Sequence, residues 1–202
     1  MEITKEVIER YHSVLDRGLS HGLGNSDGQM CIEAAVCYSL GLPHGDDPGC
    51  VATSVMRFKI SLNDKKWSSP QSRAEGLRKL GIAQLGSKGV VDDTEFAQKL
   101  TTKIIQILIV DLYRTAFPGK STELVDLCEK EPNSSNCREL AANYVNDVNA
   151  ANYIYADAAY AADAAAYADD TFNVAADKYK KMAAQLALEV LIELKSPGCA
   201  WL

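Results

Sequence analysis

The stretch NYIYADAAYAADAAAYADD (residues 152–170) decides the fold, because it is a long alanine-rich run without Gly or Pro. Alanine, the best helix former, fills 13 of the 27 positions from Ala150 to Ala176. The helical pattern extends from Arg138 to Lys195, and an unbroken helix of that length would measure ~85 Å. A compact domain of this size has a radius of gyration of only ~16–17 Å. We therefore expect the helix to break, to project, or to pack against a partner chain.

Tyrosine recurs every seven residues in this run, so one slowly drifting stripe of the helix carries Tyr153, Tyr160 and Tyr167. Aromatic side chains on an alanine background suit close helix–helix packing. The stripe predicts an interface between copies of the chain, and hence a homo-oligomer. An oligomeric structural or assembly protein is one functional hypothesis that follows from it.

The rest of the sequence predicts about six helices, so the fold class is all-α. The pattern favours a compact helical domain over residues 1–136 and a long Ala-rich helix or helical hairpin over residues 137–202, packed on that domain or on a partner chain. Local signals predict where helices begin: Asp27, Asp47 before Pro48, Ser69 before Pro70, and Asp92 followed by Glu95. We also expect the apolar chain end, Trp201 and Leu202, to fold back into a groove.

Composition describes an ordinary soluble protein, with 47% hydrophobic and 24% charged residues. The N-terminus has no signal-peptide pattern, and the most apolar run, Ile104–Val110, is too short to span a membrane. Six cysteines are too few for a disulfide scaffold, so we expect reduced thiols and a cytoplasmic protein. No metal or other cofactor is expected.

Charge is distributed unevenly along the chain. Eight Lys or Arg against two acidic residues lie between Arg57 and Lys88, while Ala141–Asp177 carries six Asp and no basic residue. Both segments are compatible with solvated helix faces, but the first also suits anions and the second suits cations or a basic surface. Six charges are far too sparse to imitate DNA phosphates, and a nucleic-acid partner is not expected.

The basic segment contains a candidate ligand site at the start of a predicted helix. Helix N-termini bind phosphate, Arg adds bidentate hydrogen bonds, and Trp can stack on a base. This pattern predicts a phosphorylated small molecule bound by Lys65, Lys66, Trp67, Ser69 and Arg73. The alternative is a capped helix with solvated lysines.

A weaker candidate is a catalytic set of Cys31, His44, Asp46 and Asp47, because nucleophile, base and orienting acid are the groups of a Cys-dependent enzyme. Cys31 would then need a thiol pKa lowered by a helix N-terminus. The competing interpretation is a core cysteine that stays inert until the protein unfolds. The spacing of Cys31, Cys37, His44 and Cys50 matches no compact zinc site.

Residues 29–51, QMCIEAAVCYSLGLPHGDDPGCV, resemble a family of uncharacterised helical proteins of bacteriophages and bacterial genomes. The similarity continues through residues 58–64, 73–78 and 84–87, the Ala-Tyr-Asp-rich segment and the ending PGCAWL. It implies a phage-type accessory gene but no activity. The leading hypothesis is therefore a non-enzymatic binding protein that antagonises a host defence by binding a host protein or by sequestering a nucleotide signal.

Overall fold

The computed structural model describes residues 2–111, 114, 122–132 and 177–202. This part of the chain is helical and has no β-strand, which confirms the all-α prediction. Its α-helices are α1 (Lys5–Leu15), α2 (Ile32–Ser39), α3 (Thr53–Asn63), α4 (Pro70–Ala83), α5 (Asp93–Lys103), α6 (Thr122–Lys130) and α7 (Lys178–Glu193). A π-helical segment, Ile104–Ile109, continues α5, and a 3-10 turn, Pro197–Trp201, closes the chain.

Two helices begin where local signals place them. Ser69 caps α4 with its Oγ 3.0 Å from the Ser72 N–H, and Pro70 opens the helix. Asp92 caps α5 by accepting the Glu95 N–H at 2.8 Å. These bonds join groups three residues apart, so they form whenever the helix forms and need no tertiary support.

Two predicted helix starts are wrong, because the chain makes other local contacts at both places. α2 begins five residues after Asp27, at Ile32, since Gly24 and Met30 pair in a short antiparallel bridge before it. α3 begins at Thr53 instead of Pro48. The Asp47 carboxylate accepts the N–H of Gly49 at 2.8 Å and so makes a turn there.

The core forms around α4, which packs against α1, α2, α3, α7 and the C-terminal 3-10 turn. Leu77 and Leu80 of α4 are fully buried, as are Tyr179 and Leu191 of α7. α7 thus shares one core with the N-terminal helices, although more than 60 residues separate it from α5 in the sequence.

α7 starts at Lys178, directly after Asp177, whose backbone is not helical (φ 162°, ψ −4°). Residues 133–176, which include most of the predicted Ala-rich helix, lie outside the described residues. The part of the predicted helix that the structure describes, α7, packs on the domain.

The chain end is only partly packed. The Ser196 hydroxyl donates to the Ala83 carbonyl at 2.5 Å, and the Gly198 N–H donates to the Leu85 carbonyl at 2.9 Å. Trp201 and Leu202 nevertheless remain 38% and 52% exposed, so the expectation that they fill a groove is wrong. None of the described helices is long and apolar enough to cross a membrane.

Candidate functional site

At the start of α4, where the sequence predicts a ligand site, Arg73 and Trp67 already form hydrogen bonds within the protein. Arg73 is 7% exposed, and its guanidinium donates to two backbone carbonyls, those of Leu19 (2.7 Å) and Lys65 (3.3 Å). The Trp67 ring is also buried and donates its indole N–H to the Leu62 carbonyl at 3.0 Å. Neither side chain faces an external ligand in this conformation, whereas Lys66 is exposed.

An anion does occupy the N-terminal end of α4, and it is the carboxylate of Asp177. Its oxygens accept hydrogen bonds from the Ser68 N–H (3.1 Å), from the Ser68 hydroxyl (2.5 Å) and from the Ser72 hydroxyl. The Lys180 ammonium lies 3.5 Å from the same carboxylate. Asp177 thus provides the negative charge that a helix N-terminus favours. We call this arrangement the Asp177 seat, comprising Ser68, Ser72, Asp177 and Lys180.

The Asp177 seat stabilises the ionised form of the carboxyl group. Burial by itself raises the pKa of Asp177, but the hydroxyls of Ser68 and Ser72, the Ser68 N–H and Lys180 together outweigh it. The resulting pKa of Asp177 lies below its ordinary value. The carboxylate therefore stays charged and bound throughout the neutral pH range.

Close packing extends from the seat into the core. The Lys180 ammonium lies 5.5 Å from the centre of the Trp67 ring, a cation–π distance, and Lys180 is only 3% exposed. Gly76 of α4 lies directly against the ring, because a Cβ built there would be 2.7 Å from two ring carbons. Trp67 is thus a packing residue between α4 and α7.

Sequence reasoning recognised the anion-binding chemistry of this helix end but missed its occupant. Asp163, Asp170 and Asp177 recur every seven residues, so Asp177 resembles one more member of a solvent-facing stripe. No local signal distinguishes it, because its partners Ser68 and Ser72 lie 109 and 105 residues away in the chain.

The candidate catalytic set does not form an accessible nucleophile. Cys31 is 5% exposed and is the N-cap of α2, with its Sγ accepting the Ala34 N–H at 3.3 Å. Burial is the main cause that raises the pKa of the Cys31 thiol, opposite to what a nucleophile needs. Asp46 and Cys31 both line a small cleft of about 30 Å³. The Asp47 carboxylate accepts the Gly49 N–H, and His44 is exposed to solvent.

A charged pair lies fully buried where α2, α3 and the end of α4 meet. The Glu33 Oε1 and Lys59 Nζ atoms are 3.0 Å apart with both side chains 0% exposed, and Gln84 Nε2 donates to Glu33 Oε2 at 3.0 Å. Burial raises the pKa of Glu33 and lowers the pKa of Lys59, and each partner opposes that effect on the other. Sequence reasoning missed this pair, since Glu33 and Lys59 look like surface residues of amphipathic helices.

A polar groove of about 570 Å³ runs along α5, the π-helical segment and the end of α7. Its described lining is Gln98, Lys99, Thr101, Thr102, Lys103, Gln106 and Glu193. Glu193 lies 3.5 Å from Lys99 and 3.0 Å from Lys103, so the ammonium groups that face the groove are paired with a carboxylate. The groove has the size of a small-molecule site but no unpaired charge on these side chains.

The predicted interface residues Tyr153, Tyr160 and Tyr167 lie outside the described residues. Among the His, Cys, Asp and Glu side chains of residues 2–111, 114, 122–132 and 177–202, no group of three is placed to hold a metal ion. No family model, no curated protein and no solved structure matches this chain.

Proposed function

We propose that the protein is a non-enzymatic binding protein whose helical domain presents an acidic Tyr/Ala/Asp segment, residues 141–176, to a basic protein surface. The segment carries five Asp and no Lys, Arg or Glu. Such a charge pattern steers association with a positively charged partner and suppresses association with an acidic one. The acidic residues are Asp147, Asp157, Asp163, Asp169 and Asp170.

The Asp177 seat is the observation that carries this proposal. It fixes the residue that directly follows the acidic segment to the N-terminal end of α4, through three hydrogen bonds and a nearby ammonium. A buried carboxylate with this many partners is costly to release. The domain therefore determines where the C-terminal end of the segment is held.

The other flank of the segment is attached to the same domain. α6 buries Val125 and Cys128 and packs against the π-helical segment, where the Gln106 amide donates to the Glu129 carbonyl at 2.9 Å. Arg114 forms ion pairs with Glu129 and Asp126 of α6 at 2.6 and 3.2 Å. Anchoring both flanks lowers the conformational entropy that is lost when a partner binds between them.

A protein partner fits these observations better than a nucleotide signal does. The helix end that would bind phosphate holds Asp177, and the Arg73 guanidinium donates to backbone carbonyls. A nucleotide would have to displace an intramolecular carboxylate, whereas a protein can bind the acidic segment without disturbing the seat. The resemblance of residues 29–51 to phage-type proteins supports a host protein as the partner, and a component of a host defence system would fit such an accessory gene.

A pull-down tests the proposal: the purified chain is immobilised, and the host proteins that it captures are compared between two variants. The test variant neutralises three acids of the segment, Asp157→Asn, Asp163→Asn and Asp170→Asn. We expect it to lose roughly tenfold or more of the captured partner, because interfacial charge pairs govern both the association rate and the specificity. Quantitative mass spectrometry of the captured proteins is the measurement.

The matched control neutralises three exposed acids of the domain, Glu2→Gln, Glu9→Gln and Asp27→Asn. It should capture the partner as well as the wild-type chain does. Equal capture by both variants, with circular dichroism showing that both are folded, would contradict the proposal.

An assembly protein is the second candidate function, and the seven-residue tyrosine spacing supports it. It differs from the first proposal in its partner, which is another copy of the chain. A Cys31-dependent enzyme is not proposed, because the thiol is buried and its pKa is raised.

A further inference from the structure

The buried cluster of Glu33, Lys59 and Gln84 has hydrogen-bonding capacity that the protein itself does not use. All three residues are 0% exposed. Gln84 Oε1 makes no hydrogen bond to protein atoms. Glu33 Oε1 and Lys59 Nζ form an ion pair at 3.0 Å and have no further hydrogen-bond partner in the protein. Buried polar atoms without partners are costly and are rare in proteins.

The orientation of the Gln84 amide is fixed by its neighbour. Its Nε2 donates to Glu33 Oε2 at 3.0 Å, and a flipped amide would place an oxygen against the carboxylate instead. Gln84 Oε1 is therefore an acceptor that needs a donor. Glu33 Oε1 is a second acceptor, and the Lys59 ammonium is a donor.

Two acceptors and one donor match one kind of small partner. A metal cation is disfavoured by the ammonium of Lys59, and an anion is disfavoured by the carboxylate of Glu33. A water molecule donates two hydrogen bonds and accepts at least one, and buried waters typically make about three hydrogen bonds to polar groups of this kind. We infer that the Glu33–Lys59–Gln84 cluster binds one internal water molecule.

This water is a structural component of the fold, because its three partners come from different parts of the core. Glu33 belongs to α2, Lys59 to α3, and Gln84 directly follows α4. The water forms the hydrogen bonds that Glu33 and Lys59 lack, and the pair stays buried at the junction of the three helices. Exchange of the water requires the junction to open, and its residence time is therefore long.

A crystal structure of the full-length protein, at a resolution that shows ordered waters, is the direct test. We expect one peak within hydrogen-bonding distance of Glu33 Oε1, Lys59 Nζ and Gln84 Oε1. Direct hydrogen bonds from Lys59 to both oxygens, or a peak that refines as an ion, would overturn the inference.

Water relaxation dispersion in solution gives an independent measurement with a matched pair of variants. Gln84→Leu removes one partner of the water, and the number of long-lived waters should fall by one. Gln98→Leu makes the same change at an exposed position of α5 and should leave the number unchanged. An unchanged number in folded Gln84→Leu protein also overturns the inference, and if that variant does not fold, the crystal structure of the wild-type chain still decides.

Discussion

At the scale of single residues, the buried thiol of Cys31 is the N-cap of α2. The sulfur accepts the Ala34 N–H at 3.3 Å, a role that Ser, Thr, Asp or Asn usually fills. Burial raises the pKa of this thiol and of the neighbouring Cys37 thiol, the latter to about 11. Helix capping thus does not activate Cys31, because desolvation of the thiolate outweighs the favourable backbone N–H groups.

We predict that iodoacetamide at pH 7 modifies Cys31 more slowly than Cys50 or Cys199 in the folded protein. Cys31 is 5% exposed, whereas Cys50 and Cys199 are partly exposed. Peptide mass spectrometry of briefly labelled protein gives the order, and labelling in urea serves as the control in which the difference should vanish. Modification of Cys31 before the other two would restore the enzyme hypothesis.

At Gly76, packing against Trp67 outweighs the general preference of helices for alanine over glycine. In an exposed helix Gly→Ala stabilises by about 1 kcal/mol, because Ala has the higher helix propensity. Here the added methyl group would lie 2.7 Å from the Trp67 ring and 3.2 Å from Lys181 Cγ.

We predict that Gly76→Ala destabilises the protein by about 1–3 kcal/mol, the usual cost of overpacking a core. Urea unfolding followed by tryptophan fluorescence measures the free energy of unfolding. Gly28→Ala is the control, because a Cβ there meets no atom within 4 Å, and it should cause no such loss. A more stable Gly76→Ala protein would show that the ring can move away at little cost.

At the scale of elements, the contact between α4 and α7 is the most extensive in the described core, and the Asp177 seat lies at its polar end. The hydroxyls and N–H of the α4 terminus bind the carboxylate that immediately precedes α7. The N-terminal ends of α4 and α7 are therefore held next to each other by Asp177. The apolar faces then align, with Leu77 and Leu80 on α4 and Ala183 and Ala187 among the buried residues of α7.

We predict that Asp177→Ala lowers the free energy of unfolding by about 3 kcal/mol, since it removes a largely buried carboxylate together with its hydrogen bonds to Ser68 and Ser72. Chemical denaturation measures the loss. Asp16→Ala removes an exposed carboxylate that pairs with Arg78 at 2.7 Å, and it should cost less than about 1 kcal/mol. Equal losses in the two variants would mean that the seat adds nothing beyond a surface ion pair.

The Asp177 carboxyl group also makes the free energy of unfolding depend on pH, in a direction that its pKa shift fixes. The folded-state pKa of Asp177 is depressed below the ordinary value of 3.8. Its contribution to stability is therefore complete above that value and is lost as the pH falls through the lower, folded-state pKa. The stability difference between the wild-type protein and Asp177→Asn should be constant near neutral pH and should shrink in acid. A difference that grows on acidification would contradict the direction of the pKa shift.

At the scale of the whole molecule, the tyrosine stripe remains a prediction about assembly. Tyrosines at a seven-residue spacing, here Tyr153, Tyr160 and Tyr167, suit packing between copies of a chain where they lie on a helix. Light scattering on the purified 22.0 kDa chain should give the mass of a dimer or a higher oligomer. A clean monomer at tens of micromolar would retire the prediction.

The triple variant Tyr153→Ala, Tyr160→Ala and Tyr167→Ala should shift the mass towards that of the monomer. Tyr38→Ala serves as its control, because Tyr38 is a 44% exposed tyrosine of the described domain and lies outside the stripe. If both variants keep the wild-type mass, assembly uses another surface.

The sequence by itself determined the helical class and those helix starts that depend on neighbours three or four residues apart. Ser69 with Pro70 and Asp92 with Glu95 act within one turn, so a single chain segment contains both the donor and the acceptor. It also indicated that the end of α4 attracts an anion, because that property belongs to the helix end and its hydroxyls.

Only the tertiary structure decided which anion binds there and which side chains remain accessible. Asp177 reaches Ser68 across 109 residues, and Arg73 reaches the Leu19 carbonyl across 54. Such pairs depend on how the apolar faces of α1, α4 and α7 close together, which no local pattern encodes. The same closure buries Cys31, Trp67 and the Glu33–Lys59 pair, because side chains near a helix contact lose their solvent whatever their chemical type.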